Sequence, residues 1–138
     1  MNPLPPYARF LGIRTERSET DELLFVMPFG DVVLGRPGYL HGGAIAGLLE
    51  FAAFGALYEA LGSREGVIVK PVNVTVQYMR GGTQHDTLAS GHVTRLGNRV
   101  ANVEAYAWQL DRDKPIAAAQ LNVLLRRGPA SPAAKRIA

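Results

Sequence analysis

The chain has 138 residues, 47% apolar and 20% charged, with no cysteine. That is globular composition on the scale of one domain, which excludes wholesale disorder. The missing thiols exclude a disulfide scaffold, a cysteine nucleophile and cysteine-held zinc or iron–sulfur sites. Net charge is +3, but residues 1–65 sum to −3 and residues 66–138 to +6, so the second half suits an anionic partner.

The opening Met1-Asn2-Pro3-Leu4-Pro5-Pro6-Tyr7 lacks a basic stretch followed by an apolar run, so no secretory leader is expected and the cytoplasm is the expected location. Residues 3–11 read as a short helix with proline in its first turn. Residues 22–27 read as a strand. Residues 31–40 hold Gly35, Pro37 and Gly38 and read as loop. Residues 42–61 form one long segment rich in Ala and Leu, a helix. Its apolar run is interrupted by Glu50, Gly55 and Glu59, which argues against a membrane span and for a buried helix. β-Branched residues crowd 67–78, a strand, and Gly81-Gly82-Thr83 turns the chain. Residues 88–95, 100–110 and 116–125 are three further strands, with hairpin turns at 96–99 and 111–115.

No repeat or linker divides the chain. We expect one domain over residues 1–127 and a flexible tail over 128–138. A helix apolar on every side must be enclosed, which an antiparallel sheet curling around it achieves in an α+β domain. In residues 117–125 only Gln120 and Asn122 are polar. The outer face of such a sheet would need a partner, so an oligomer is expected.

Chemistry concentrates at Gly38-Tyr39-Leu40-His41-Gly42-Gly43, where the long helix begins, and at Glu50 within it. The first turn of a helix leaves backbone N–H groups unpaired, and Ser, Thr, Asp or Asn usually caps them. Here His41 is the one nearby side chain able to accept, and the glycines let a ligand approach the backbone. Such a terminus suits an anion or a developing oxyanion, although the glycines also serve a plain tight turn. Glu50 is the only ionisable side chain between His41 and Tyr58, with Ala46, Gly47, Ala53 and Phe54 at its helical neighbours. An isolated carboxylate in such company is paired or used. Gly42 and Glu50 are eight residues apart, about 12 Å along a helix axis. For both to touch one reacting group, Glu50 of one chain must meet Gly42 of another across a twofold axis.

The sequence resembles the hotdog-fold acyl-CoA thioesterases, in the branch that includes the phenylacetyl-CoA thioesterases. The resemblance covers roughly residues 7–126. It rests on Phe10-Leu11-Gly12-Ile13-Arg14, on His41-Gly42-Gly43 with an acid nine positions after the histidine, on Val72-Asn73-Val74-Thr75-Val76-Gln77-Tyr78-Met79-Arg80, and on Pro115-Ile116-Ala117-Ala118-Ala119. It implies a five- or six-stranded antiparallel sheet wrapped around the long helix, with subunits joined edge to edge and dimers pairing into tetramers. It implies Glu50 as nucleophile or base and the Gly42 amide of the partner subunit as oxyanion donor, with His41, Gly43, Phe54 and Asn73 beside the acyl group. Arg80, Arg95 and Arg99 are the candidate anchors for the phosphates of coenzyme A. No metal and no cofactor is implied, coenzyme A entering only as part of the substrate.

Three positions depart from the family pattern. Gly35, with Arg36 beside it, stands where many relatives carry Asn or Gln. Phe54 and Pro71 stand where some carry Ser or Thr. Asn73, two residues beyond Pro71 on the same strand face, offers a substitute. There is no Gly-x-Ser-x-Gly elbow, no phosphate-binding glycine loop and no metal spacing among His41, His85 and His92. His85 and His92 read as structural, and no motif points to nucleic acid or a membrane partner. Two alternatives to hydrolysis stand: a non-catalytic acyl-CoA-binding protein, and an acyl-thioester dehydratase that would pair a histidine with the carboxylate.

Overall fold

The computed structural model describes residues 4–63 and 66–128. The expected tail thus lies outside the described residues except for Gly128. A short helix α1 (Pro6–Phe10) precedes strands β1 (Arg14–Arg17) and β2 (Leu23–Met27); the long helix α2 (Gly42–Leu61) follows, then β3 (Val67–Tyr78), β4 (Thr87–Leu96), β5 (Val100–Trp108) and β6 (Ala117–Arg127). The strands form one six-stranded sheet in the order β1-β2-β4-β5-β6-β3, antiparallel throughout. It wraps α2, the α+β arrangement expected from the sequence.

Small side chains make that wrapping possible. The helix-facing positions of β4, β5 and β6 include Ala89, Ala101, Ala105, Ala107, Ala117 and Ala119, all buried. Gly91 on β4 lies against the helix backbone: a Cβ there would sit 2.3 Å from the Ala52 carbonyl oxygen. Leu48, Leu49, Ala52 and Leu57 of α2 fill the space between, with Leu121 and Val123 of β6. By length and composition α2 could also cross a membrane; here its sheet-facing side is the core.

The structure corrects three expectations. β1 was not foreseen, because Arg14-Thr15-Glu16-Arg17 shows no apolar alternation. It forms by pairing with β2, and Arg17 bonds the Glu59 carboxylate of α2. Charged side chains suit an edge strand, where they discourage stray pairing. Next, β5 ends at Trp108, not at residue 110. Gln109 turns its amide onto the β3–β4 loop, accepting from Thr83 N–H and donating to the Thr83 and His85 carbonyls and the Thr87 hydroxyl.

The third correction concerns the outer face of the sheet, which is polar across its middle. Ser90, His92, Asn102, Glu104, Tyr106, Gln120 and Asn122 lie there, with the apolar Val26, Leu88, Trp108 and Ala118 toward one end and Val100 and Leu124 at the other. Asn102 Nδ2 donates to Asn122 Oδ1 at 2.6 Å, and Asn122 Nδ2 to Asn73 Oδ1 at 2.9 Å, an amide ladder across β5, β6 and β3. Exposed apolar side chains also lie at the edge of the sheet, where Val72, Tyr78 and Met79 are on or just beyond β3.

Candidate active site

α2 begins in a bridged loop. Leu34 and Leu40 pair, the His41 N–H bonds the Val33 carbonyl at 2.8 Å, and the Leu40 N–H bonds the Gly82 carbonyl at 3.0 Å. Gly35 has a packing reason here: a Cβ would lie 3.0 Å from His41 Cα. A larger side chain here would meet the backbone that enters the helix. Arg36 stacks its guanidinium over Tyr39, 4.9 Å from the ring centroid.

His41 is the N-cap. Its Nδ1 accepts from the Gly43 N–H at 2.8 Å, so the neutral ring carries its proton on Nε2. The Ala44 and Ile45 N–H groups return to the His41 carbonyl at 3.1 and 3.2 Å. Among the described residues the Gly42 N–H has no hydrogen-bond partner. Of the first-turn donors it is the one left for a ligand, at the positive end of the helix dipole. The Gly42 carbonyl accepts from the Tyr78 hydroxyl at 2.9 Å.

Glu50 lies two turns further on, half-buried, with no hydrogen-bond or ion-pair partner among the described residues. It shares the side of α2 turned from the sheet with half-exposed Ala46 and Phe54, and Phe54 stacks on Tyr58 at 6.2 Å. Across Gly47 the α1 residue Tyr7 packs on Phe51, ring centroids 6.2 Å apart. Gly42 and Glu50 are therefore on one continuous helix, and a single chain does not bring them together.

The other candidates divide by place. Asn73 is not on the face of Pro71. The register shifts between them, Pro71 opposing inward Val123 and Asn73 opposing outward Asn122. This β-bulge breaks the alternation on which the sequence reading relied, and Asn73 spends its side chain in the amide ladder. Arg80 follows β3 at the end where α2 begins. Arg95 and Arg99 lie at the other end, Arg99 lining a cavity of about 310 Å³ with Asn98, Leu124, Leu125, Arg126 and Arg127. Lys70, level with Val100, is eight residues from Tyr78 along β3, about 26 Å. One chain does not gather the three arginines. His85 holds the β3–β4 loop through its backbone, and His92 stands opposite Glu104 in the sheet. Among the described residues no group of three or more His, Asp or Glu is placed to hold a metal.

Sequence reasoning missed Tyr78. It ends a strand just before two glycines, on the inward parity of Val74 and Val76, and that parity was the available signal. It also missed Glu22, which takes both guanidinium nitrogens of Arg112 at 2.7 Å and the Ser90 hydroxyl at 2.5 Å, while Arg112 lies over Trp108. Arg112 holds the Glu22 carboxyl down at about 2, against the upward push of burial and with help from Ser90.

Comparison with known proteins gives a family and a shared fold. The profile of the family described as Thioesterase superfamily matches residues 37–116. A solved protein from Chromobacterium violaceum is 35% identical, covering 86% of this chain and 82% of that one, with a TM-score of 0.67. A Bacillus halodurans protein crystallised with CoA shares the fold at 18% identity, covering 91% and 81%, TM-score 0.78. A phenylacetic acid degradation-related protein from Ralstonia eutropha does so at 20% identity, covering 89% and 92%, TM-score 0.74. No curated protein matches the sequence.

Proposed function

The chain belongs to the thioesterase superfamily, and from that premise we propose that it hydrolyses an acyl-CoA thioester to the free acid and coenzyme A. The observation that carries this reading is the first turn of α2, where His41 engages the Gly43 N–H and the neighbouring Gly42 N–H has no partner among the described residues. That is the donor an oxyanion needs, and Glu50 is the carboxylate that chemistry needs, about 12 Å along the same helix. Both serve one substrate when two copies pair about a twofold axis. The edge strand β3 supports that pairing, with Val72 63% and Tyr78 55% exposed. Joined antiparallel along β3, two sheets continue into one, and the site holds Glu50 of one protomer and the partner subunit's Gly42. The same pairing draws the Arg80 end of one protomer toward the Arg95 and Arg99 end of the other, so that arginines from both hold the phosphates of the substrate. Dimers of dimers follow the resemblance seen in the sequence.

In the general-base route Glu50 takes a proton from water as the water oxygen attacks the thioester carbonyl. The partner subunit's Gly42 N–H holds the tetrahedral oxyanion. The oxyanion collapses, the C–S bond breaks, and the thiolate leaves with the proton from Glu50. In the nucleophilic route the carboxylate attacks the carbonyl carbon, the C–S bond breaks and coenzyme A leaves as thiolate; water then cleaves the mixed anhydride to the free acid, restoring the Glu50 carboxylate and giving its second proton to the thiolate. Neither route calls for a metal or an organic cofactor, and the cytoplasm, where acyl-CoA is made and used, is the proposed location.

Free-thiol release from phenylacetyl-, benzoyl-, butyryl-, hexanoyl- and decanoyl-CoA tests the reading. Glu50→Ala is expected to lose about 10²–10⁴-fold in kcat, the usual worth of a positioned base, with assembly intact. Equal turnover by the variant would reject Glu50. Phe54, Pro71 and the outward Asn73 leave few polar groups to place a water, which favours a second reading, a non-catalytic acyl-CoA binder. In that case acyl-CoA raises the melting temperature without being consumed. A dehydratase is disfavoured because His41 Nδ1 is spent on the helix cap.

A further inference from the structure

Tyr78 ends β3 on the face turned toward α2, opposite buried Ala117. Its ring packs on the helix start, 3.4 Å from where a Gly42 Cβ would stand. Its hydroxyl donates to the Gly42 carbonyl at 2.9 Å, and His41 Nδ1 accepts from the Gly43 N–H at 2.8 Å. That carbonyl and that N–H belong to one peptide group. The Gly42–Gly43 peptide plane is therefore held at both ends by side chains, one from the loop before the helix and one from the edge strand.

The arrangement answers a specific weakness. Two consecutive glycines at a helix start have the widest backbone freedom of any pair, and first turns fray. A donor that stabilises an oxyanion must already point at it, since a donor that has to reorganise during the reaction gives back part of its benefit. The Gly42 N–H lies on the peptide just before the clamped one, so fixing the clamped plane limits how that N–H can swing.

We infer that Tyr78 is a positioning residue for the reaction proposed above, aiming the Gly42 N–H through its hydrogen bond to the Gly42 carbonyl. The inference rests on the thioesterase reading. Because Tyr78 belongs to the edge strand, the same hydroxyl links the proposed subunit seam to the donor.

Tyr78→Phe keeps the ring against Gly42 and removes only the hydroxyl. The measurements are kcat and KM on the acyl-CoA that the wild type turns over best, sedimentation for assembly, and hydrogen exchange of the Gly43 amide by NMR. The expected result is a loss of about tenfold in kcat, well under the about 10²–10³ lost with an oxyanion donor itself. KM and assembly stay unchanged, and the Gly43 amide, bonded to His41 on the clamped peptide, exchanges faster. An unchanged kcat overturns the inference, as does a loss confined to KM, which would place the hydroxyl on the substrate. A variant that fails to assemble overturns it too, assigning Tyr78 to the fold. A wild type that turns over no acyl-CoA overturns the thioesterase reading and this inference with it; a working wild type matched by Tyr78→Phe overturns this inference alone.

Discussion

Gly42 and Gly43 are chemically alike, and one hydrogen bond gives them different work. His41 reaches past Gly42 to satisfy Gly43, as an N-cap does with the second helical residue. Removing the cap therefore leaves the proposed donor in the chain but frees one end of the clamped Gly42–Gly43 peptide. His41→Ala is expected to cost about 1 kcal/mol of stability, the usual loss for a missing cap, read from urea unfolding. His41→Asn, which keeps an acceptor at the cap, should recover most of it. Glu50 presents the opposite case: among the described residues it gives the fold no bond. Glu50→Ala should leave the unfolding free energy in urea within about 0.5 kcal/mol of wild type while turnover collapses. A large loss of stability in that variant would mean that the carboxylate serves the fold.

Between elements, close approach sets the tolerances. The Gly91 backbone on β4 meets the Ala52 carbonyl of α2 with no room for a methyl group. Gly91→Ala should destabilise by about 1–3 kcal/mol through overpacking, seen as a lowered melting temperature. On the outer face Glu22, just before β2, is tied to Ser90 of β4 and to Arg112 of the β5–β6 loop. The Glu22 carboxyl sits at about 2, below its usual 4.5, so the folded state favours its charged form. Its contribution is whole above about pH 4.5 and is lost as the pH falls toward 2. The partners are partly solvated, so about 1 kcal/mol at neutral pH is the expected scale. Unfolding of Glu22→Gln against wild type at pH 7 and pH 2.5 measures this, with the difference expected to shrink at the lower pH. A difference that grew in acid would contradict the pairing.

The whole molecule decides whether a site exists at all, because Gly42 and Glu50 of one chain are held apart by the helix that carries both. The proposed twofold assembly makes a complementation test possible. Glu50→Ala lacks the carboxylate. Gly42→Pro lacks the N–H, at the first helical position where proline fits and after a residue already extended at ψ 134°. Each homodimer should be inactive. A mixed dimer holds one site with both defects and one with neither, so an equilibrated equal mixture should regain about a quarter of wild-type turnover. No recovery after subunit exchange, shown by mass spectrometry, would place both groups in one chain or assign the chemistry elsewhere.

Much of this was legible in the order of residues. The apolar all-round helix, the four β-branched or alanine-rich strands after it and the glycine turns between them follow from short-range preferences and period. Those rules act within a few residues, and so they gave α2 and β3 with their ends. The His41-Gly42-Gly43 start and the isolated Glu50 were visible for the same reason, as a helix terminus and an unpaired charge are local facts. What local pattern did not carry is what depends on pairing at a distance. β1 exists because β2 offers it an edge. Asn73 faces outward because a bulge against β6 turns it there. Tyr78 meets Gly42 from 36 residues away, and Glu22 meets Arg112 from 90. The sequence determined the elements and the chemical groups; the tertiary structure decided which groups meet, because strand register and helix placement are settled by burial summed over the whole sheet.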